Sequence, residues 1–516
     1  MTASAPTAPP NASHGALETL KPTSLFGYGL GDFGCNLAFS LSTSFLLFYY
    51  TDVAGISAAA IGTMFLVVRL WDAFTDLFAG RLVDRTMTRW GKFRPFILFG
   101  AVPLLFLSVL TFGMPQSLWI NESNSNAGPA LLYAYLTYAV LGLLYSMVNI
   151  PYGSLASAMT QSVNERAKLV AARFFGSALA GVFLTWIIAP RISELQGKSA
   201  GFQKALKAAQ EAKDTAKITE LKAQVAQFQP DMQAVFTQTT LWFVVLGSLC
   251  FFGTFYFCRE KVARATPRVT IAETWETLRH NKPLGILCLA SLFYLIGLFA
   301  VPAASVYYAR YILGDTGLTV QMSIMNAGVS LLATPFIPWI IRKIGKKNLF
   351  QYSGLLTLVG GLVLFFLPAG GVILAMIFLA VKGAGASFIN TAMFGLEADT
   401  VEYGEWKSGK RSEGATYSIF SFTRKVTQAL GGAAGAWLIG LAGYVANAPT
   451  QSDAAMTAIR ASIGLVPAGC ALIAMLIFWK YPLTDSRFAE IRNEVEARKA
   501  SLDHVIVGEG KVVDNH

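Results

Sequence analysis

Apolar runs of roughly twenty residues recur from residue 25 to residue 481, separated by short polar turns. Wound as an α-helix, a run of about twenty residues spans the hydrocarbon core of a bilayer. Within lipid, only helices and closed barrels satisfy every backbone polar group. Twelve such runs are read at 25–50, 57–83, 94–114, 130–157, 169–190, 238–258, 283–310, 318–341, 349–368, 372–397, 415–443 and 460–481. The chain is 54% hydrophobic and 14% charged, whereas soluble domains carry about 25% charged residues. The expected class is an all-α polytopic membrane protein with the lipid bilayer as its first partner.

Loop charge sets the expected orientation. Loop 81–94 carries Arg81, Arg85, Arg89, Lys92 and Arg94, loop 258–282 six Lys or Arg, and loop 342–347 four, while loops 51–56, 115–129 and 369–371 have none. The positive-inside rule then places both termini in the cytoplasm. The net charge of +11 is accounted for by these loops, so no nucleic-acid partner is expected. Residues 1–20 hold no Lys or Arg and no apolar core, which argues against a cleavable signal peptide.

The resulting plan has a disordered cytoplasmic tail at 1–24, a six-helix bundle at 25–258, a central cytoplasmic loop at 259–282, a second bundle at 283–481 and a cytoplasmic tail at 482–516. Residues 191–236 form a polar, Lys-rich insert that the count of spans makes periplasmic. Within it Ile218, Leu221, Val225 and Phe228 recur at helical spacing, which predicts one amphipathic helix. Basic turns after the second and eighth runs, GRLVDR…GKFR and PWIIRKIGKK, point to a duplicated bundle with a site between the halves.

Five cysteines at positions 35, 250, 258, 288 and 470 show no CxxC or Cys/His spacing, so neither a disulfide framework nor a zinc site is expected. The histidines, at 14, 280, 504 and 516, all lie outside the apolar runs. This excludes a histidine relay within the spans.

Polar residues within the runs carry the chemistry. Asp72, Thr75 and Asp76 stand at i, i+3 and i+4, so a helix stacks them on one face, with Arg69 on the same face. Charged groups inside a span normally face a bundle interior or an aqueous cavity. Two carboxylates and a hydroxyl so placed suit a proton or sodium ion; the plainer alternative is a charge pair with Arg69 that fixes packing. Asp32 and Asn36 lie one turn apart, and Asp32 could simply cap or pair near the helix end. Ser146 and Asn149 precede Pro151, where a distorted helix is expected. Arg173 opens the fifth run and could snorkel. Lys382, mid-run, needs a partner. Asn390 and Glu397 follow it, Glu397 and Asp399 being expected in a cytoplasmic gate of ion pairs. Arg424 and Lys425 are adjacent, so they point in different directions.

Several stretches carry a family resemblance: GYGLGDFGCN, FYYTDVAG, RLWDAFTD, TRWGKFRPF, NIPYGSL, EADTVEYGEW and FSFTRK. The chain resembles the glycoside–pentoside–hexuronide:cation symporters of the major facilitator superfamily, most closely the glucuronide branch and more distantly the melibiose branch. The resemblance covers roughly 21–500 apart from the insert. It implies a twelve-helix major facilitator fold, alternating access and a bacterial inner-membrane location. By resemblance the coupling cation is held by Asp72, Thr75, Asp76 and Ser146, and the sugar by Asn36, Asn149, Arg173, Asn390 and Lys425. Asn36 and Asn149 stand where the melibiose branch has sugar-binding acids, and Gly153 where it has a tryptophan. Amides there remove repulsion of a uronate.

The reading is a secondary transporter, not an enzyme, that carries a glycoside or hexuronide together with a proton or sodium ion, a glucuronide being the first choice. It uses no cofactor, no metal beyond a possible sodium at Asp72 and Asp76, and acts as a monomer. Neutral glycosides or pentosides are the alternative cargo within the family. Asp72-x-x-x-Asp76 also resembles the metal–diphosphate motif of intramembrane prenyltransferases, but such enzymes need a second acid-rich motif that the other spans do not offer. A sensor with a transporter fold remains a third reading, since fold does not fix function.

Overall fold

The computed structural model describes residues 19–121, 124–160, 162–211, 215–260, 276–277, 279–409 and 413–512. Most of the expected N-terminal tail, with His14, and most of the central loop, with Lys261, Arg264 and Arg268, lie outside the described residues.

The helices are α1 Pro22–Phe48, α2 Ala58–Arg85, α3 Arg94–Thr111, α4 Ala127–Met159, α5 Val163–Glu211, α6 Thr215–Ala226, α7 Phe228–Phe257, α8 Lys282–Tyr308, α9 Thr319–Ala333, α10 Ile337–Ile344, α11 Lys346–Phe366, α12 Val372–Ser408, α13 Glu413–Leu441, α14 Asp453–Ile463, α15 Leu465–Trp479 and α16 Asp485–Val512. Their starts follow from the sequence. Proline lies in the first turn of α1, α3 and α8, where its missing N–H costs nothing. Ser57, Asn126, Asn281 and Ser452 cap α2, α4, α8 and α14 through their side chains, each satisfying a backbone N–H that has no intrahelical acceptor.

Twelve spans result, α9–α10 and α14–α15 each counting as one. Among the described residues nine helical segments, with α9–α10 counted as one, are long and apolar enough to cross a bilayer, and the bent pair α14–α15 makes ten. Helices α1 and α13 complete the twelve from inside the bundle. Their sequences are diluted by Asp32, Asn36 and a run of hydroxyls in α1, and by Arg424 and Lys425 in α13.

Each half is built alike. In the first, α1 packs on α5 and α7, α2 on α4, and α3 on α4 and α7; in the second, α8 packs on α13 and α15, α11 on α12 and α15, and α9 on α12. Helices α1 and α8 also end alike, in π-helical turns at Tyr49–Val53 and Ala309–Leu313. The halves meet through α2 on α13, α5 on α9 and α1 on α8.

One face of the bundle carries the ends of both halves and is called the terminal face; the face holding the Tyr49–Val53 turn is called distal. The buried apolar core is continuous across both halves towards the distal face, where Phe48 and Tyr49 share a cluster with Tyr307, Tyr308 and Ile439. Near the terminal face the second half has a separate core, built on Leu284, Leu287, Phe350, Phe420 and Phe478. The halves are therefore joined distally and parted towards the terminal face.

Several boundaries differ from expectation. Helix α5 does not stop at 190 but runs to Glu211, because the residues beyond Pro190 include the strong helix formers of KALKAAQEA. The insert thus prolongs a span; the expected amphipathic helix is α6, and Phe228 opens α7 instead of belonging to it. Helix α4 passes through Pro151 unbroken. The last span is in two pieces bent by 42°. Residues 485–512 form α16, which docks on α12 by burying Ile491 and Val495.

Candidate functional site

Helix α2 brings Arg69, Asp72, Thr75 and Asp76 down the interior on successive turns. Arg69 donates from Nη1 to Asp72 Oδ2 at 3.1 Å, and its guanidinium lies 5.2 Å from the Phe39 ring centre. The other carboxylate oxygen, Asp72 Oδ1, is buried without a hydrogen-bond partner. It faces Gly142 of α4, where a Cβ would overlap it. Beside it is a cavity of about 20 Å³ lined by Ser42, Arg69, Asp72, Tyr138, Gly142 and Tyr145 among others. Roughly 10–15 Å³ suffices for one water, so a small ion fits as well. A buried carboxylate oxygen left unpaired is strongly disfavoured, and a proton or a bare cation is what would satisfy it.

Thr75, buried, donates Oγ1 to the Asp72 carbonyl at 3.0 Å. Its hydroxyl is thus committed to the helix. Ser146 is buried one turn after Gly142 on α4; because α2 and α4 run in the same direction, it stands level with Thr75 and Asp76. Asp76 turns to a different partner: it forms an ion pair with Lys425 of α13, across the boundary between halves. The two acids that the sequence stacks on one face are therefore divided, Asp72 within its own half and Asp76 between halves.

A second cluster joins α1, α4 and α5. Arg173 donates from Nε to Asp32 Oδ1 at 2.8 Å and from Nη2 to Asn149 Oδ1 at 3.4 Å. Asn36 donates Nδ2 to Asp32 Oδ2 at 3.1 Å and accepts from Ser40. Arg173 also lies 5.3 Å from the Tyr152 ring, which stacks on Tyr28 at 4.6 Å. At Gly153 an added Cβ would lie 3.6 Å from Arg173 Nη1, so the glycine leaves the guanidinium uncovered. Arg173 does not snorkel, and Asp32 is its acid rather than a helix cap.

In the second half, Arg424 donates from Nη1 to Asn390 Oδ1 at 3.1 Å. Lys382 is buried and gives its Nζ to the Ile463 carbonyl at 2.9 Å. That carbonyl is free because the residue four positions on, Pro467, has no N–H. The lysine's partner is thus a broken helix end and not an acid. Asp399, expected in a cytoplasmic gate of ion pairs, pairs with Lys346 at 2.6 Å, which links α12 to α11 within the second half. Glu397 lies two residues before Asp399, on a different side of α12, with contacts of its own.

Residues not singled out from the sequence close the distal face. Asp52 receives hydrogen bonds from Tyr444 at 2.9 and 3.0 Å, from the Asn447 backbone N–H at 3.2 Å and from Arg310 at 3.1 Å. Thr51 and Tyr307 share a hydrogen bond of 2.7 Å. Ser193 bonds Asp315 and Thr316 bonds Gln196, so the prolonged end of α5 also grips the other half. The only sequence signal was FYYTDVAG, noted as a motif without a role. Among the described residues no group of three His, Cys, Asp or Glu side chains is placed to hold a metal, and the five cysteines are unpaired.

Residues 27–485 match the family model described as MFS/sugar transport protein. The chain is 43% identical to the glucuronide carrier protein homolog of Escherichia coli K12, over 95% of this chain and 98% of that protein. It is 32% identical to the isoprimeverose transporter of Lactiplantibacillus pentosus, over 93% of each. Among solved structures the nucleoside transporter NupG superposes with a TM-score of 0.55 at 13% identity, covering 89% of this chain and 99% of that one. The twelve spans, the paired halves and these matches lead to one assignment: the chain belongs to the sugar-transport family of the major facilitator superfamily and is a multi-pass inner-membrane symporter of sugars.

Proposed function

We propose that the protein carries an anionic sugar, a glucuronide before other glycosides or hexuronides, together with a proton or sodium ion, with both termini in the cytoplasm. The observation that carries the coupling is the division of labour on α2. Asp72 presents an unpaired carboxylate oxygen to a cavity of ionic size, while Asp76, one turn on, holds Lys425 of the opposite half. A cation that settles on Asp72 changes the charge balance on the helix that bridges the halves. Its binding and the closure of the halves around a sugar then share one coupling free energy, and linkage makes the effect reciprocal. The distal seal at Asp52 and the parted cores at the terminal face suit a state open towards the cytoplasm.

The anionic cargo is supported by the amides Asn36 and Asn149 in the Arg173 cluster and by the name of the Escherichia coli relative. The name of the Lactiplantibacillus relative favours a neutral glycoside as the second reading. Counterflow into proteoliposomes separates them: a labelled phenyl glucuronide should exchange and its matched glucoside exchange poorly. Exchange of the glucoside alone would establish the second reading.

A further inference from the structure

The two halves repeat one constellation with a single member missing. In the first half Arg173 of α5 bonds Asn149 of α4 and lies over Tyr152, three residues further along α4. In the second half Arg424 of α13 bonds Asn390 of α12 and lies 5.0 Å from the ring centre of Phe394, four residues further along α12. Helix α13 occupies in its half the place of α5, and α12 that of α4. The first half completes the set with Asp32 of α1. Helix α8 is the counterpart of α1, and it contains no Asp or Glu; counting from the prolines that open the two helices, Phe293 falls where Asp32 would be.

The ion pairs are consistent with this. Of the cations on the spanning helices, Arg69 has Asp72, Arg173 has Asp32, Arg310 has Asp52, Lys346 has Asp399 and Lys425 has Asp76, whereas Arg460 of α14, like Arg424, has no ion pair among the described residues. Lys382 is spent on the Ile463 carbonyl. No carboxylate among the described residues bonds Arg424. Glu397, one turn beyond Phe394, is engaged elsewhere. Arg424 is half-buried, and its Nε and Nη2 bond no described residue, yet neither is sealed from solvent. A guanidinium held within a span without an acid is costly. Asn390 fixes one edge of its plane and Phe394 supports its face, which leaves a planar fork suited to two parallel hydrogen bonds with a carboxylate.

We propose that Arg424, oriented by Asn390 and Phe394, is the carboxylate-binding element of the substrate site, and that the uronate supplies the acid missing from the second half. The proposal rests on the anionic-sugar reading above and assigns the recognition of charge to this residue instead of Arg173. An anionic lipid phosphate would meet the same fork, but the matching sugar cluster in the first half favours the sugar.

The test is binding of p-nitrophenyl β-glucuronide and p-nitrophenyl β-glucoside to the full chain in nanodiscs of zwitterionic lipid, repeated with anionic lipid added. Wild type, Arg424→Gln, Arg424→Lys and Phe394→Leu are compared. We expect Arg424→Gln to weaken the glucuronide about ten- to hundredfold, the range of a lost charge-assisted hydrogen bond, and the glucoside less than about threefold. Arg424→Lys should fall between, since it keeps the charge and loses the fork. Phe394→Leu keeps the arginine and guards against misfolding of the others; it should reduce glucuronide preference in part. Equal losses for both sugars, or an undiminished preference in Arg424→Gln, overturn the proposal and leave the transporter reading intact. A glucuronide affinity that drops as anionic lipid is added, with sugar preference untouched by Arg424→Gln, assigns the fork to lipid and also overturns it. A wild type without preference for the glucuronide removes the anionic-sugar reading, and this inference with it.

Discussion

Arg173 gives its Nε hydrogen to Asp32 at 2.8 Å, so the arginine of the fifth span is already neutralised by an acid of its own half. The family resemblance counts Arg173 among the residues that hold the sugar; the ion pair makes it part of a polar platform that also fixes Asn36 and Asn149. Arg173→Lys should therefore weaken a glucuronide and its matched glucoside alike, each by about tenfold or more if a charged hydrogen bond is worth roughly 1.5–3 kcal/mol. Paired binding isotherms check this. A loss confined to the glucuronide would return the charge-reading role to Arg173.

Gly142 makes the space in which the Asp72 carboxylate lies. Gly142→Ala puts a methyl group against that carboxylate, and overpacking of this kind costs about 1–3 kcal/mol. The expected result is an uptake that needs roughly ten times more coupling ion for half-maximal rate, with sugar exchange at equilibrium less affected. Ion titration of uptake in vesicles provides the measurement. An unchanged ion dependence would move the cation elsewhere.

Asp52 holds the distal seal through partners in the second half, and it is 1% exposed in its side chain. Asp52→Ala leaves Arg310 without its acid, and breaking a buried pair costs about 3–5 kcal/mol. The closed distal face should lose population by a factor of about one hundred or more. In a cysteine-free background carrying Gly153→Cys, a membrane-impermeant maleimide applied from the distal side should label faster when Asp52→Ala is added. Equal labelling rates would show that the seal lies in the apolar core alone.

The insert divides into two functional parts. Ser193 and Gln196 contact the other half, whereas residues 200–226 extend beyond them. Deleting 200–226 with a short Gly/Ser bridge should keep transport within about tenfold, since surface segments tolerate such changes. Ser193→Ala with Gln196→Ala should weaken the distal seal instead. Labelling of Gln210→Cys from the cytoplasm would refute the proposed orientation.

Much of the fold is legible because its signals are local. Apolar runs and helix-starting prolines and caps depend on neighbouring residues, and all twelve runs lie on helices near the expected positions, the eighth and the last each in two pieces. Helix lengths were less legible: α5 outran its apolar run because Ala, Lys and Glu sustain a helix outside lipid as well as within it. The break in the last span depends on Pro467, and its remedy, Lys382, lies some eighty positions away in sequence. The candidate site shows the same divide. Spacing placed Asp72, Thr75 and Asp76 on one face, yet which acid meets Arg69 and which meets Lys425 depends on how α4 and α13 approach. Asp52 sits in the π-helical turn that ends α1, and Arg310, Tyr444 and Asn447 come to it from the other half, so the FYYTDVAG stretch marked the place without showing its role.

The central claim is that a cation bound on α2 drives the sugar. It is tested most directly by uptake of a labelled glucuronide into proteoliposomes under an imposed proton or sodium gradient, for wild type and Asp76→Asn. The account predicts that wild type accumulates sugar above equilibrium with one of the two ions, that an ionophore for that ion abolishes the excess, and that Asp76→Asn still exchanges sugar but no longer accumulates it. Equilibration without accumulation by wild type under both gradients, or normal accumulation by Asp76→Asn, would contradict it.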